Sequence, residues 1–189
     1  MVALLKKWLG HSTPQSVHAT YIALVARARH PFFYTDMQVP DTLDGRFEMI
    51  VLHLFLLQHR LVREGSNADA PTTIFARQLS EAFFDDMDRS VRELGVADTG
   101  VSKRIKKMGK AYHGALQHYA AGLADDTALK AALARNLYGT VAEGDVAVLE
   151  AMAAFVRTEV ARLAEVPTAT LIAGDYVWAE PAMAAAARK

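Results

Sequence analysis

The sequence predicts an all-α protein, a single bundle domain of about six main helices. Three observations carry that expectation. Apolar residues recur at helical spacing in about six stretches, and no stretch shows the convincing period-2 alternation of a strand. The breaks between stretches carry Pro, Gly or short polar clusters, which punctuate helix ends. The 189 residues, 52% of them hydrophobic and 22% charged, suffice for one real core. No internal repeat, low-complexity tract or domain boundary interrupts them.

Residues 1–15 read as a short amphipathic segment. Leu4, Leu5, Trp8 and Leu9 share one face, with Lys6 and Lys7 opposite. Docking on the core is the expected use, and a weak membrane-surface foot is the alternative. The segment lacks the apolar run and cleavage site of a signal peptide, and the length of a transit peptide. The domain is expected over 16–180, followed by a frayed Ala-rich tail over 181–189.

The first helix is expected from Ser16 to Arg29, with Val17, Tyr21, Leu24, Val25 and Ala28 inward. Pro31 ends it, and a loop runs from Pro31 to Pro40. Asp41 is expected to cap the second helix, with Asp44 three residues on, as in a capping box. Leu43, Phe47, Ile50, Leu54, Leu57 and Leu61 form its main stripe. Val51, Leu52, Phe55 and Leu56 widen that stripe until it nearly encircles the helix, so this helix should be central. Its run from Met49 to Leu57 is too short to span a membrane, which takes about 20 residues.

Gly65 to Thr72 reads as a linker. The third helix follows from Thr73 to Leu94, with Phe75, Leu79, Phe83, Met87, Val91 and Leu94 inward and Gly95 as its C′ residue. The fourth runs from Val101 to Leu123, with Ile105, Met108, Tyr112, Leu116, Tyr119 and Leu123 inward. Gly109 and Gly114 within it are expected to admit a neighbouring helix. The fifth covers Thr127 to Tyr138 and the sixth Asp145 to Ala164. The stretch TLIAGDYVWAEP is expected to be irregular or a short turn.

Net charge is zero and pI about 7.1, so recognition by charge must come from local patches. The absence of cysteine excludes disulfides and thiolate chemistry. No HExxH, P-loop, GxGxxG or GxSxG occurs, and Ser102, Lys103 and Tyr112 form no nucleophile–base set. Asp85, Asp86 and Asp88 form a DDxxD-like cluster of the kind that binds Mg²⁺ and diphosphate. A second acidic motif is missing, and helical ion pairs account for the cluster more simply: Asp85 with Arg89, Asp88 with Arg92, Arg89 with Glu93. A haem would have to be held through His53 or His113, which have no ligand-spaced partner, so no cofactor and no metal are expected.

The chemistry that stands out is a surface. Lys103, Arg104, Lys106, Lys107 and Lys110 place five cations in eight residues. Near the expected helix start they oppose the macrodipole and need nearby carboxylates or an outside partner. Arg46 is likewise expected to pair with Asp44 or with the Asp85–Asp88 cluster. Phe33, Tyr34 and Phe47 offer an aromatic contact beside it, although Phe32, Phe33 and Phe47 could equally staple the loop to the core.

Two stretches resemble the ubiquinol–cytochrome c chaperone family: HATYIALVARARHPFFYTDMQVPDTLDGRFEMIVLHLFLL (18–57) and FFDDMDRSVRELGVADTGVSKRIKKMGKAYHGAL (83–116). VPDTxDGRF and DDMDRSxRExGVxDxGV are long, specific strings. The resemblance implies a non-enzymatic chaperone for cytochrome b in assembly of the bc1 complex. It implies a small partner protein, contact with the ribosome and a peripheral place at the inner membrane, with no DNA partner. The expected setting is the bacterial cytoplasm, or the mitochondrial matrix side in a eukaryote. It carries over no catalytic residues. The proposed partner-binding set is therefore Phe33, Tyr34, Arg46, Phe47, Lys103, Arg104, Lys106, Lys107 and Lys110. The alternatives are a ribosome- or RNA-binding module using the basic helix and, behind it, a Mg²⁺-dependent diphosphate enzyme.

Overall fold

The computed structural model describes residues 14–64, 67–93, 95, 98–139 and 146–178. They form α1 (Pro14–Ala28), α2 (Phe32–Thr35), α3 (Leu43–Glu64), α4 (Pro71–Glu93), α5 (Asp98–Gly122), α6 (Asp126–Leu137), α7 (Val146–Glu165) and α8 (Thr168–Ala173). No strand occurs among the described residues. Two short helices, α2 and α8, join the six long ones. The N-terminal segment, Leu94, the residues after 178 and the 140–145 connection lie outside the described residues.

The second apolar stretch does become the axis. α3 packs against α1, α4, α5, α6 and α7. Met49, Val51, Leu52 and Leu54 are fully buried on several sides of it, as a helix apolar almost all round requires. Phe75, Leu79, Phe83, Met87 and Val91 bury the matching stripe of α4. Among the described residues no helix is long and apolar enough to cross a membrane.

Polar braces tie the layers. Tyr112 on α5 donates to Gln58 Oε1 on α3 at 2.9 Å, and Gln58 donates to Ser80 Oγ on α4 at 2.7 Å. Arg60 on α3 donates to the carbonyls of Leu163 and Val166 at 2.9 and 3.0 Å, adding a charged donor where α7 ends. Tyr138 donates to the Met37 carbonyl at 2.7 Å and holds the 36–40 turn against the bundle.

Several local expectations need correction. The 31–40 segment is not all loop. Pro31 presets φ at −51° and starts the single turn α2, with Phe33 inside. Thr42, not Asp41, caps α3: its hydroxyl accepts the Gly45 N–H at 3.1 Å, and its carbonyl accepts the Arg46 N–H at 2.9 Å. One residue of register therefore excludes the Asp41–Asp44 capping box. Leu43, expected inward, stands 61% exposed at the helix start. α4 begins at Pro71, where the missing N–H costs nothing.

Two glycines are packing requirements. A Cβ on Gly45 would stand 2.0 Å from the Pro40 carbonyl oxygen, and one on Gly122 2.6 Å from Leu129 Cα in the tight α5–α6 hairpin. The expected role of Gly109 and Gly114 is not found. A Cβ on Gly114 would meet nothing within 4 Å, and one on Gly109 only the Phe84 ring at 3.9 Å. Neither admits a neighbouring backbone. Gly95 has φ +74°, the left-handed conformation that a side chain resists.

Candidate partner-binding groove

An open groove of about 1000 Å³ runs between the start of α3, the end of α4 and the first half of α5. Phe47, Ile50, Met87, Val91 and Met108 supply its apolar lining. Lys103, Arg104, Lys106, Lys107 and Lys110 line the α5 side, all exposed. Arg29 and Arg46 add positive charge elsewhere, against Asp44 and Glu48. The groove is thus amphipathic, with one strongly cationic wall.

Its construction follows from the sequence. On α5 the side facing Tyr112, Ala115 and Tyr119 is buried, while the lysines fall on the opposite, wet side. Ile105 and Met108, expected in the core, are only half-buried, and Met108 lines the groove. α5 begins at Asp98, three residues earlier than expected. The lysines therefore sit beyond the first turn, where the opposing macrodipole has largely faded. Among the described residues no carboxylate lies within ion-pair distance of any of the five, so the acidic face of α4 does not neutralise them. Asp88 instead binds Arg92 at 2.6 Å, and Asp86 accepts the Tyr21 hydroxyl at 2.9 Å. Neither the Asp85–Arg89 nor the Arg89–Glu93 pair forms. Asp85 stays exposed, and among the described residues no three acidic or histidine side chains gather as a metal site.

Arg46 pairs with neither of its expected partners. Its Nε and Nη2 donate to the two carboxylate oxygens of Asp41 at 2.6 and 3.1 Å. This fork holds the Asp41 carboxyl below its ordinary range, chiefly through the hydrogen bond from Arg46. Asp41, freed from capping by Thr42, is available for it.

The aromatic part of the expected set divides. Phe47 lies in the groove, its ring 5.6 Å from Phe83. Phe33 does not reach the surface. It is fully buried, edge-on to His53 at 5.3 Å and Phe155 at 5.2 Å, with the Arg27 guanidinium over its face. Its proposed contact with a partner is therefore withdrawn. Tyr34 is half-buried and donates to the Ala28 carbonyl at 2.9 Å, which makes it a clasp on the α1–α2 turn.

Glu48 also lines the groove, a role its sequence position hardly signals. Burial, then the nearby Asp44 charge, pushes its carboxyl up to about 7. Its Oε2 is buried with no hydrogen-bond partner among the described residues. The signal in the sequence is slight: a lone acid at the head of an apolar run, with another acid at i−4 on the same helix face. His53 is a core histidine. Its Nδ1 bonds the Met49 carbonyl at 2.8 Å, and burial pushes its pKa down to about 3. Trp178 closes over it at 5.2 Å from beyond α8, a lid the sequence did not announce.

The geometry defines a class: a helical protein built around one central helix whose middle is buried on all sides, with an amphipathic, cation-walled groove on its surface. Comparison with known proteins makes the class specific. The model of the ubiquinol–cytochrome C chaperone family matches residues 35–178, and the chain belongs to that family. Similar proteins include ubiquinol–cytochrome c reductase complex assembly factor 1 of Drosophila melanogaster, 25% identical over 86% of this chain and 64% of its own length. The assembly factor 1 of Xenopus laevis is 26% identical over 84% of this chain and 78% of its own. The crystal structure of the Cbp3 homolog from Brucella abortus superposes with a TM-score of 0.79 at 36% identity, over 95% of this chain and 97% of that one. The chain thus spans somewhat under two thirds of the Drosophila relative and nearly all of the Brucella one.

Proposed function

We propose that this protein is a non-enzymatic assembly chaperone of the ubiquinol–cytochrome c reductase (bc1) complex, with newly made cytochrome b as its client. Family membership supports the assembly role. The observation that carries a binding role at a definite place is the groove. Seven cations and an apolar lining share one concavity, and among the described residues none of the five on α5 is spent on an ion pair. Folding alone gives no reason to keep so much unpaired charge beside apolar surface. In this reading the groove shields an apolar client segment while the α5 cations hold its polar flank. The protein works at the inner membrane without spanning it, aided by a small partner protein or the ribosome.

The test has two arms. In a strain lacking the gene, bc1 content should fall and be restored by the native chain. A tagged chain drawn from native membranes in mild detergent should carry cytochrome b. Normal bc1 assembly without the gene would overturn the reading. Binding lost steeply with salt, with RNA as the co-purifying species, would favour the ribosomal alternative.

A further inference from the structure

The groove's two chemistries run side by side. Lys103, Lys106, Lys107 and Lys110 follow the i, i+3, i+4, i+7 pattern along α5, a row of about 10 Å. Beside them lie the part-exposed Phe47 and Met108 and the exposed Leu43, over a floor of Ile50, Met87 and Val91 that is already almost buried. A ligand must therefore offer apolar surface and negative charge in parallel, over about two helical turns. Single-stranded RNA would satisfy the lysines and leave the apolar strip against water. A flat bilayer would meet the exposed lysines without reaching the bottom of a concave groove. An amphipathic helix meets both, with its apolar stripe in the groove and one edge on the wall. The opposite wall keeps that seat open, since Arg46 is already held by Asp41.

We propose that the groove receives an amphipathic helix whose apolar stripe is flanked on one edge by carboxylates that meet the α5 lysine row. This rests on the reading of the groove as the client site and states the chemistry of what enters it. The acidic edge sets the direction in which the helix lies, because only the α5 side of the groove is densely cationic. Leu43, exposed at the groove's edge, extends the apolar contact past the end of the strip.

The probe is a fluorescent helical peptide of about four turns, with leucines at helical spacing and glutamates along one edge, titrated into the full chain. Saturable binding is expected. The Lys103→Glu, Lys106→Glu, Lys107→Glu variant should lose at least about tenfold in affinity with its thermal melt unchanged. A peptide with lysines in place of the glutamates should then prefer that variant to the native chain. Leu43→Asp, at an exposed position, should weaken the acidic peptide as well. Absence of binding, or binding indifferent to the charge reversal, overturns the proposal. So does capture of phosphatidylglycerol vesicles or oligouridine by the native chain while the peptide stays free. The two readings fail separately: a free peptide with bc1 still lost from the deletion strain removes only the acidic-helix ligand. Bound peptide with normal bc1 in that strain removes only the assembly role.

Discussion

Glu48 and His53 sit five residues apart on α3 and are perturbed in opposite senses by the same cause. Both lose solvent, and burial favours the uncharged form of each. For Glu48 the unfolded carboxyl titrates near 4.5 and the folded one at about 7. The folded state holds a proton that the unfolded state has lost, so stability falls as pH rises through that window and stays low above it. Glu48→Gln should therefore raise stability at pH 8 by about 2 kcal/mol and remove Glu48's own share of the pH dependence, as read by urea unfolding across the window. His53 runs the other way. Its folded value of about 3 lies below the ordinary 6.5, so stability is lost as pH falls below 6.5. With Glu48 removed, that acid loss should emerge unopposed. The glycines make a second residue-scale contrast. Gly114→Ala has free space and should stabilise by about 1 kcal/mol. Gly45→Ala drives a Cβ into the Pro40 carbonyl and should cost about 2 kcal/mol or more. Thermal melts of the two variants should shift in opposite directions.

At the scale of elements, the ends matter more than the middles. α3 begins where Thr42 accepts the Gly45 N–H, and that choice releases Asp41 to clamp Arg46. α7 ends where a side chain from the axis caps it. Arg60→Ala would leave the Leu163 and Val166 carbonyls without their charged donor and should cost about 2 kcal/mol. Its urea midpoint should fall with the slope unchanged. α2 is a single turn pinned by Phe33 among His53 and Phe155. Phe33→Ala should open a cavity worth about 3–5 kcal/mol, while peptide binding in the groove stays unchanged under conditions where the variant remains folded. Loss of binding at unchanged stability would instead make Phe33 a direct partner contact.

At the scale of the molecule, the zero net charge conceals a strong local field. The lysine row is unpaired among the described residues, while the acids of α4 are engaged by Tyr21 and Arg92 or face solvent. Binding at the groove should therefore combine a moderate salt dependence with an apolar contribution that high salt does not remove. Peptide affinity measured from low to high ionic strength should level off at a finite value. A collapse to nothing would assign the whole interaction to screened charge.

The helices, the central place of α3 and the cationic face of α5 were legible in the sequence, because apolar period and charge clustering are local and survive without knowing the neighbours. The long strings around VPDT and DDMDRS carried the family in the same way. What the sequence could not decide were choices between near-equivalent partners. Asp41 and Thr42 both suit a cap, and the structure uses Thr42, whose hydroxyl accepts the Gly45 N–H. Arg46 had several carboxylates to choose from, and the register of α3 gave it Asp41. Phe33 and Phe47 look alike as letters, yet one is sealed by Phe155 and His53 and the other is left beside the opening between α4 and α5. Glu48 was one acid among many until packing took water from it. Sequence alone determined which surfaces had to be buried or charged. Tertiary structure decided which side chains meet, because burial and pairing depend on residues distant in the chain.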